Sequence, residues 1–169
     1  MFRLFTIISI ALFTIGCKAQ EHTSSDVTTY YFIRHAEKDR TKPTEDNPHL
    51  TAKGHERAQN WDTVLQHIAF DAVYATDYYR TKETGQPIAD RNKLDIITYT
   101  TEHYFDENFK AATKGKTVLV VGHSNTSPEF VNAILGTKKY DHMDDDNNGN
   151  LYIVTLNNGN AIDRLLRIN

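Results

Sequence analysis

Cysteine is all but missing from this 169-residue chain, with Cys17 the only one. An internal disulfide and a zinc site built on several cysteines are therefore excluded. Neither sign of charge dominates: 19 Lys and Arg stand against 22 Asp and Glu, a formal charge of −3 with a sequence pI near 6.2. With no Lys/Arg stripe anywhere, the electrostatic footprint of a nucleic-acid binder is missing. Long apolar runs are also missing. The longest, Leu4–Ile15 (LFTIISIALFTI), is shorter than the about 20 residues a membrane-spanning helix needs. No internal repeat or low-complexity segment occurs. What remains is an ordinary globular composition, 39% hydrophobic and 24% charged, on a chain long enough for one domain with a substantial core.

The apolar run follows Arg3 and ends at Thr14-Ile15-Gly16-Cys17. A short positive start, an apolar stretch of this length and a small residue before the break describe a secretory signal. The pattern resembles a bacterial lipoprotein signal, with Cys17 as the lipidated residue, although Thr14 stands where such signals prefer Leu. Ordinary cleavage after Ala19 is the competing reading. The expected organisation is a signal over 1–16, a polar tether over 17–27 and one folded domain over 28–169. The protein is then expected to be secreted across the inner membrane and held in the cell envelope by a lipid anchor.

Within the domain, strand-like and helix-like segments alternate. Thr28–Ile33 (TTYYFI) and Thr117–Val121 (TVLVV) are β-branched or aromatic with almost no polar break, as strands buried on both faces are. Asp71–Ala75 is a shorter strand. A helical period over 51–68 puts Ala58, Trp61, Val64, Leu65 and Ile68 on one face, with Thr51 as N-cap. A second helix is predicted over 81–90, weakened by Gly85 and Pro87. A third is predicted over 128–135, with Ser127 as cap and Pro128 at its first position. Two final strands, 151–156 and 161–167, flank an Asn157-Asn158-Gly159-Asn160 turn. The fold class is α/β: a three-layer α/β/α sandwich with a mainly parallel central sheet.

The candidate chemistry lies where strands end. TTYYFI runs into Arg34-His35, TVLVV into Gly122-His123, and the strand at 71–75 leads to Arg80. Ligands of open α/β sheets bind beyond the carboxyl ends of the strands. If these strands are neighbours, two guanidiniums and two imidazoles converge on one crevice, a set suited to a phosphoryl dianion.

These segments resemble the histidine phosphatase (phosphoglycerate-mutase-like) superfamily. Its Arg-His-Gly/Ala signature reads Arg34-His35-Ala36, and its Leu-Thr-x-x-Gly segment reads Leu50-Thr51-Ala52-Lys53-Gly54. Its strand-loop-Arg-Thr segment reads Ala75-Thr76-Asp77-Tyr78-Tyr79-Arg80-Thr81, with Thr76 in place of the usual serine. Its second histidine motif reads Val120-Val121-Gly122-His123-Ser124-Asn125-Thr126, so that the match runs over residues 28–156 in order. The resemblance implies a phosphatase in which His35 becomes phosphorylated while Arg34, Arg80 and His123 hold the phosphate, with Asn125 an added donor. It implies no cofactor and no metal. Its partners would be a small phosphorylated substrate or a phosphoprotein. Family mutases are longer, with insertions that retain a bisphosphate; the segment between Arg80 and Thr117 leaves little room for one, which favours hydrolysis. Protein phosphohistidine hydrolysis, the activity of the family's small members, and a catalytically silent phosphate-binding lipoprotein are the alternatives.

The leaving oxygen also needs a proton. In many relatives the acid lies about 20–30 residues beyond the pocket arginine, which points here to Glu102, with Asp106, Glu107 and Glu37 left open. Glu37 and Lys38, close behind the nucleophile, either orient the arginines and meet substrate or form an exposed ion pair. Asp144-Asp145-Asp146-Asn147-Asn148-Gly149 opens like a calcium-binding loop, but the twelfth position, normally Glu, is Thr155 within a predicted strand. A polar turn feeding that strand is the better reading.

Overall fold

A computed structural model of the chain describes residues 27–168; the expected signal, the lipidation at Cys17 and most of the tether lie outside them. Strand β1 (Val27–Arg34) is followed by helix α1 (Ala52–Val64), β2 (Ala72–Ala75), α2 (Tyr79–Asn92) and β3 (Ile96–Thr98). Helix α3 (Glu107–Thr113), β4 (Thr117–Gly122), α4 (Thr126–Leu135) and the hairpin β5 (Asn150–Asn157) and β6 (Asn160–Arg167) complete the domain. The six strands form one sheet in the order β3-β2-β4-β1-β5-β6. The first four in that order pair in parallel, while β5 and β6 are antiparallel additions at one edge. The three-layer α/β sandwich expected from the alternation is the fold observed.

Both faces of β1 and β4 are buried, as their uniform apolar sequences require. Phe32, Tyr30, Val118 and Val120 face Phe130 and Val131 of α4. Ile33, Leu119 and Val121 face Trp61 of α1 and Ile88 of α2. Each fully buried side chain of this size contributes about 1.5–3 kcal/mol of transfer free energy, so these two layers fix the sheet between its helices.

Several elements differ from their sequence expectations. Helix α1 ends at Val64, and Leu65 and Ile68 keep their apolar period within a following turn. Helix α2 is longer than 81–90 and carries Pro87 inside it. Gly85 lets it lie close to the sheet, because a Cβ there would stand 3.3 Å from Val121 Cγ2. Helix α4 starts at Thr126 with Asn125 as its N-cap residue, so Pro128 is third in the helix rather than first. Ser127 does not cap it; its hydroxyl donates to the Ile33 carbonyl of β1 at 3.2 Å. β3 and α3 had no counterpart in the sequence reading. Among the described residues, no helix is long and apolar enough to cross a membrane.

Candidate active site

The parallel register is what builds the site. Arg34 pairs with Gly122 across β1 and β4, and Ala75 pairs with Val121 across β2 and β4. Three strands therefore end at one level, and the residues that follow them share one crevice. The chain leaves β1 through α1 to β2 and returns to place β4 between them. This is the kind of switch in strand order at which α/β sheets open a ligand site.

His35 continues the sheet pattern by one step, its backbone N–H donating to Gly122 O at 2.9 Å. Its Nδ1 lies 2.7 Å from the Ala36 carbonyl. A carbonyl can only accept, so Nδ1 carries the hydrogen and Nε2 keeps its lone pair. The loop holding this ring is fastened from two sides. Ala36 N donates to Thr84 Oγ1 at 2.9 Å, and Asn148 Nδ2 donates to His35 O at 2.8 Å. The Leu50–Gly54 segment grips the next residue: Thr51 N and Oγ1 both donate to Glu37 O. Gly54 packs so near that a Cβ would fall 2.3 Å from the same oxygen.

His123 stands opposite, its ring centroid 5.4 Å from that of His35. Its Nε2 shares a 2.9 Å hydrogen bond with Thr76 Oγ1, so threonine does serve at this strand end. Arg80 enters from the first turn of α2 and is only 8% exposed. The Tyr78 ring lies 4.1 Å beneath its guanidinium carbon. Its Nε and Nη1 are buried with no protein acceptor. Arg34 is held differently. Its Nη1 donates to the carbonyls of Asp144, Asp145 and Asn147 at 2.9–3.1 Å, and its Nη2 to Asp145 Oδ1 at 3.0 Å. The loop that opens like a calcium site thus turns its carbonyl oxygens onto a guanidinium.

Arg34, His35, Arg80, His123 and Asn125 all line one open crevice of about 400 Å³, with Lys38, Tyr78 and Asp145 on its walls. The candidate acids are placed elsewhere. Glu102 is exposed on the segment between β3 and α3, whose contribution to the crevice wall is Thr101. Asp106 caps α3 through Phe109 N at 2.8 Å, Glu107 pairs with Lys110, and Glu37 is gripped by Arg57. Tyr78, Asp145 and Asn148 belong to the site, although the sequence placed Tyr78 only within the arginine motif and Asp145 and Asn148 only in a polar turn. Only Tyr78 had a signal, its position two residues before Arg80.

Burial pushes His35 down to about 3 and His123 down to about 4, with the neighbouring Arg34 and Arg80 charges acting in the same direction. Both rings are neutral near pH 7, which leaves a lone pair on each. An unfolded imidazole titrates near 6.5, so below that pH the unfolded chain binds protons that the native site refuses. These two groups therefore cost stability progressively as pH falls from about 6.5. In NMR titration of the free protein, the Cε1–H signals of His35 and His123 should hold their neutral positions down to pH 5. A midpoint near 6.5 for either would overturn this account of the site.

Residues 30–109 match the family model of the histidine phosphatase superfamily (branch 1). That match contains Arg34, His35 and Arg80 and ends before His123. No curated protein sequence matches the chain. Among solved structures, the alpha-ribazole phosphatase from Shigella flexneri aligns with a TM-score of 0.64 at 18% identity, covering 83% of this chain and 96% of its own. A phosphoglycerate mutase from Bacillus anthracis aligns at 0.63 and 16% identity, covering 86% and 94%. The protein histidine phosphatase SixA, complexed with tungstate, aligns at 0.62 and 17%, covering 82% and 96%. At these identities the likeness establishes a shared fold.

Proposed function

We propose that this chain is a histidine-superfamily phosphatase that hydrolyses a phosphomonoester through a phosphohistidine on His35. The observation that carries this reading is Arg80: a buried guanidinium with two nitrogens lacking protein acceptors, facing two neutral imidazoles in an open crevice. A buried cation left unpaired by the protein is costly, and a dianion between Arg80, Arg34 and His123 would compensate it. With Nδ1–H held by Ala36 O, His35 Nε2 attacks phosphorus as the bond to the leaving oxygen breaks and that oxygen takes a proton. Water then attacks the phosphohistidine, phosphate departs, and Nε2 regains its lone pair. Dividing one displacement into two is the advantage of the covalent route. Arg34 and Arg80 provide the charge compensation that equatorial phosphoryl oxygens require, and His123 and Asn125 add neutral hydrogen-bonding groups.

A second reading, protein phosphohistidine hydrolysis, has support in the placement of the carboxylates. Among the described residues, the carboxylate on the crevice wall is Asp145, already paired with Arg34 and Arg40, and none of Glu102, Asp106 and Glu107 borders it. An alkoxide leaving group needs a positioned acid, whereas a phosphoimidazole protonated on its distal nitrogen releases neutral imidazole. The sequence also supports export, with lipidation at Cys17 or cleavage after Ala19. One assay addresses all three points. Turnover of p-nitrophenyl phosphate by the full chain should withstand chelators and be inhibited by vanadate, and Cys17→Ser should either release that activity from the membrane fraction or leave the signal uncleaved. If Glu102 swings in as the acid, Glu102→Gln should cost about 10²–10⁴-fold on an alkyl phosphate and much less on p-nitrophenyl phosphate. Equal effects on both would remove Glu102 from that role. A protein that turns over neither these esters nor a phosphohistidine peptide is no phosphatase.

A further inference from the structure

When His35 Nε2 attacks phosphorus, the departing oxygen needs a proton, and the donor must stand beside that oxygen. Arg34, His35 and Arg80 are 2%, 4% and 8% exposed and fill the floor of the crevice. The organic part of a substrate therefore projects toward the open side. Asp145 is on the wall there, but its Oδ1 accepts from Arg40 and Arg34 at 2.9 and 3.0 Å. Those two guanidiniums hold its carboxyl below the usual carboxylate range, so it carries no proton to give. Guanidiniums keep their protons in water. His123 is neutral, with Nε2 engaged by Thr76 Oγ1.

Lys38 is different. It is half-buried on the same wall, where the crevice meets an adjoining compartment. Its ammonium has no carboxylate partner and no hydrogen bond among the described residues. The backbone beneath it is pinned on both sides: Lys38 bridges to Leu50, Thr51 N donates to Glu37 O at 2.9 Å, and Asp39 N donates to His49 O at 2.8 Å. The segment that grips Glu37 thus also fixes the base of the Lys38 arm, three residues beyond the nucleophile. Burial makes this ammonium a stronger acid than an exposed one. The Arg80, Arg40 and Arg34 charges act in the same direction, and Asp145 opposes them. Lys53, Glu37 and Asp146 line the adjoining compartment and not the crevice.

Resting on the phosphatase reading, we infer that Lys38 is the catalytic acid of the first displacement and the base of the second. As the bond from His35 Nε2 to phosphorus forms and the bond to the leaving oxygen breaks, one proton passes from Lys38 Nζ to that oxygen. The neutral amine then takes a proton from the attacking water, as the new phosphorus–oxygen bond forms and the bond to Nε2 breaks. Lys38 ends as an ammonium again, and no outside proton source is used. Esters of ordinary alcohols, which leave poorly as alkoxides, come within the substrate class.

The test compares two esters with rings of the same size on the full chain. The phenolate of p-nitrophenyl phosphate leaves without help; the alkoxide of benzyl phosphate does not. Lys38→Gln should lose about 10²–10⁴-fold in kcat on benzyl phosphate and less than about tenfold on p-nitrophenyl phosphate. Lys38→Arg keeps the charge and the donors but has no proton to release, so it should fail on benzyl phosphate in the same way. In the parent, kcat on benzyl phosphate should fall at high pH with a midpoint below the about 10.4 of a free lysine. Both variants should lack that limb. Vanadate should still raise their melting temperatures, which separates loss of the acid from loss of the pocket. Rescue of benzyl phosphate turnover by Lys38→Arg would make Lys38 an anion holder and overturn its role as acid, as would equal losses on the two esters. A loss confined to benzyl phosphate in Tyr78→Phe, Asp146→Asn or Glu102→Gln, with the Lys38 variants unaffected, would also overturn it. So would a parent that never turns over benzyl phosphate, although turnover of p-nitrophenyl phosphate or of a phosphohistidine peptide would leave the phosphatase reading intact. A parent inert toward all three removes that reading as well.

Discussion

His35→Ala should lower phosphatase turnover by about 10⁴–10⁶-fold, the scale seen when a covalent nucleophile is deleted. The acid-labile, alkali-stable phosphoenzyme expected of the parent protein should vanish with it. The fold should survive. The ring's one polar contact is with the carbonyl of its own neighbour Ala36, and the backbone N–H that joins the sheet is kept. Circular dichroism should therefore stay native while activity disappears, which separates loss of chemistry from loss of structure. Wild-type turnover in His35→Ala would end the covalent reading.

Much of this site was legible because its parts obey local rules. TTYYFI and TVLVV can only be buried strands, and two strands of that kind in one small α/β domain are natural neighbours. Once they pair in parallel, the residues after them must meet, and the Arg34–Gly122 register brings His35 and His123 level. The Leu50–Gly54 segment was recognisable as a motif, but its physical purpose shows only in three dimensions, where Thr51 and Gly54 close on the Glu37 carbonyl.

What stayed illegible depends on distant or weak signals. β3 has three residues and is half exposed, so no alternation marks it. α3 has seven residues and one buried position, too short for a helical period. The partner of Arg34 lies about 110 positions away, in a loop whose spelling suggests a metal site, and no local pattern could join the two. The acid is the hardest case. Family spacing points to Glu102, yet a proton donor is defined by where it stands relative to a bound oxygen, which spacing does not encode.

Arg80→Met should abolish phosphate recognition and yet make the protein more stable. Arg80 sits in the wall at 8% exposure with Nε and Nη1 unpartnered, and the Tyr78 face gives it only part of what water would. Replacing an under-compensated buried ion with an apolar side chain of similar volume is often stabilising, here by about 1–2 kcal/mol. For a domain of this size that gain corresponds to a melting temperature higher by roughly 3–6 °C. Phosphoryl transfer should fall by about 10³-fold or more, as it does when an arginine that meets transition-state charge is removed. Vanadate separates the two effects. It binds only the native site, so it should raise the melting temperature of the parent protein with concentration. It should leave that of Arg80→Met unchanged. If Arg80→Met melts lower than its parent, the guanidinium holds the fold together and is not strained in wait for an anion. If it melts higher but still responds to vanadate, the anion is held elsewhere in the crevice. The combination expected here, a gain in stability with loss of both anion response and turnover, follows only if the empty pocket keeps a charge that its ligand is meant to satisfy.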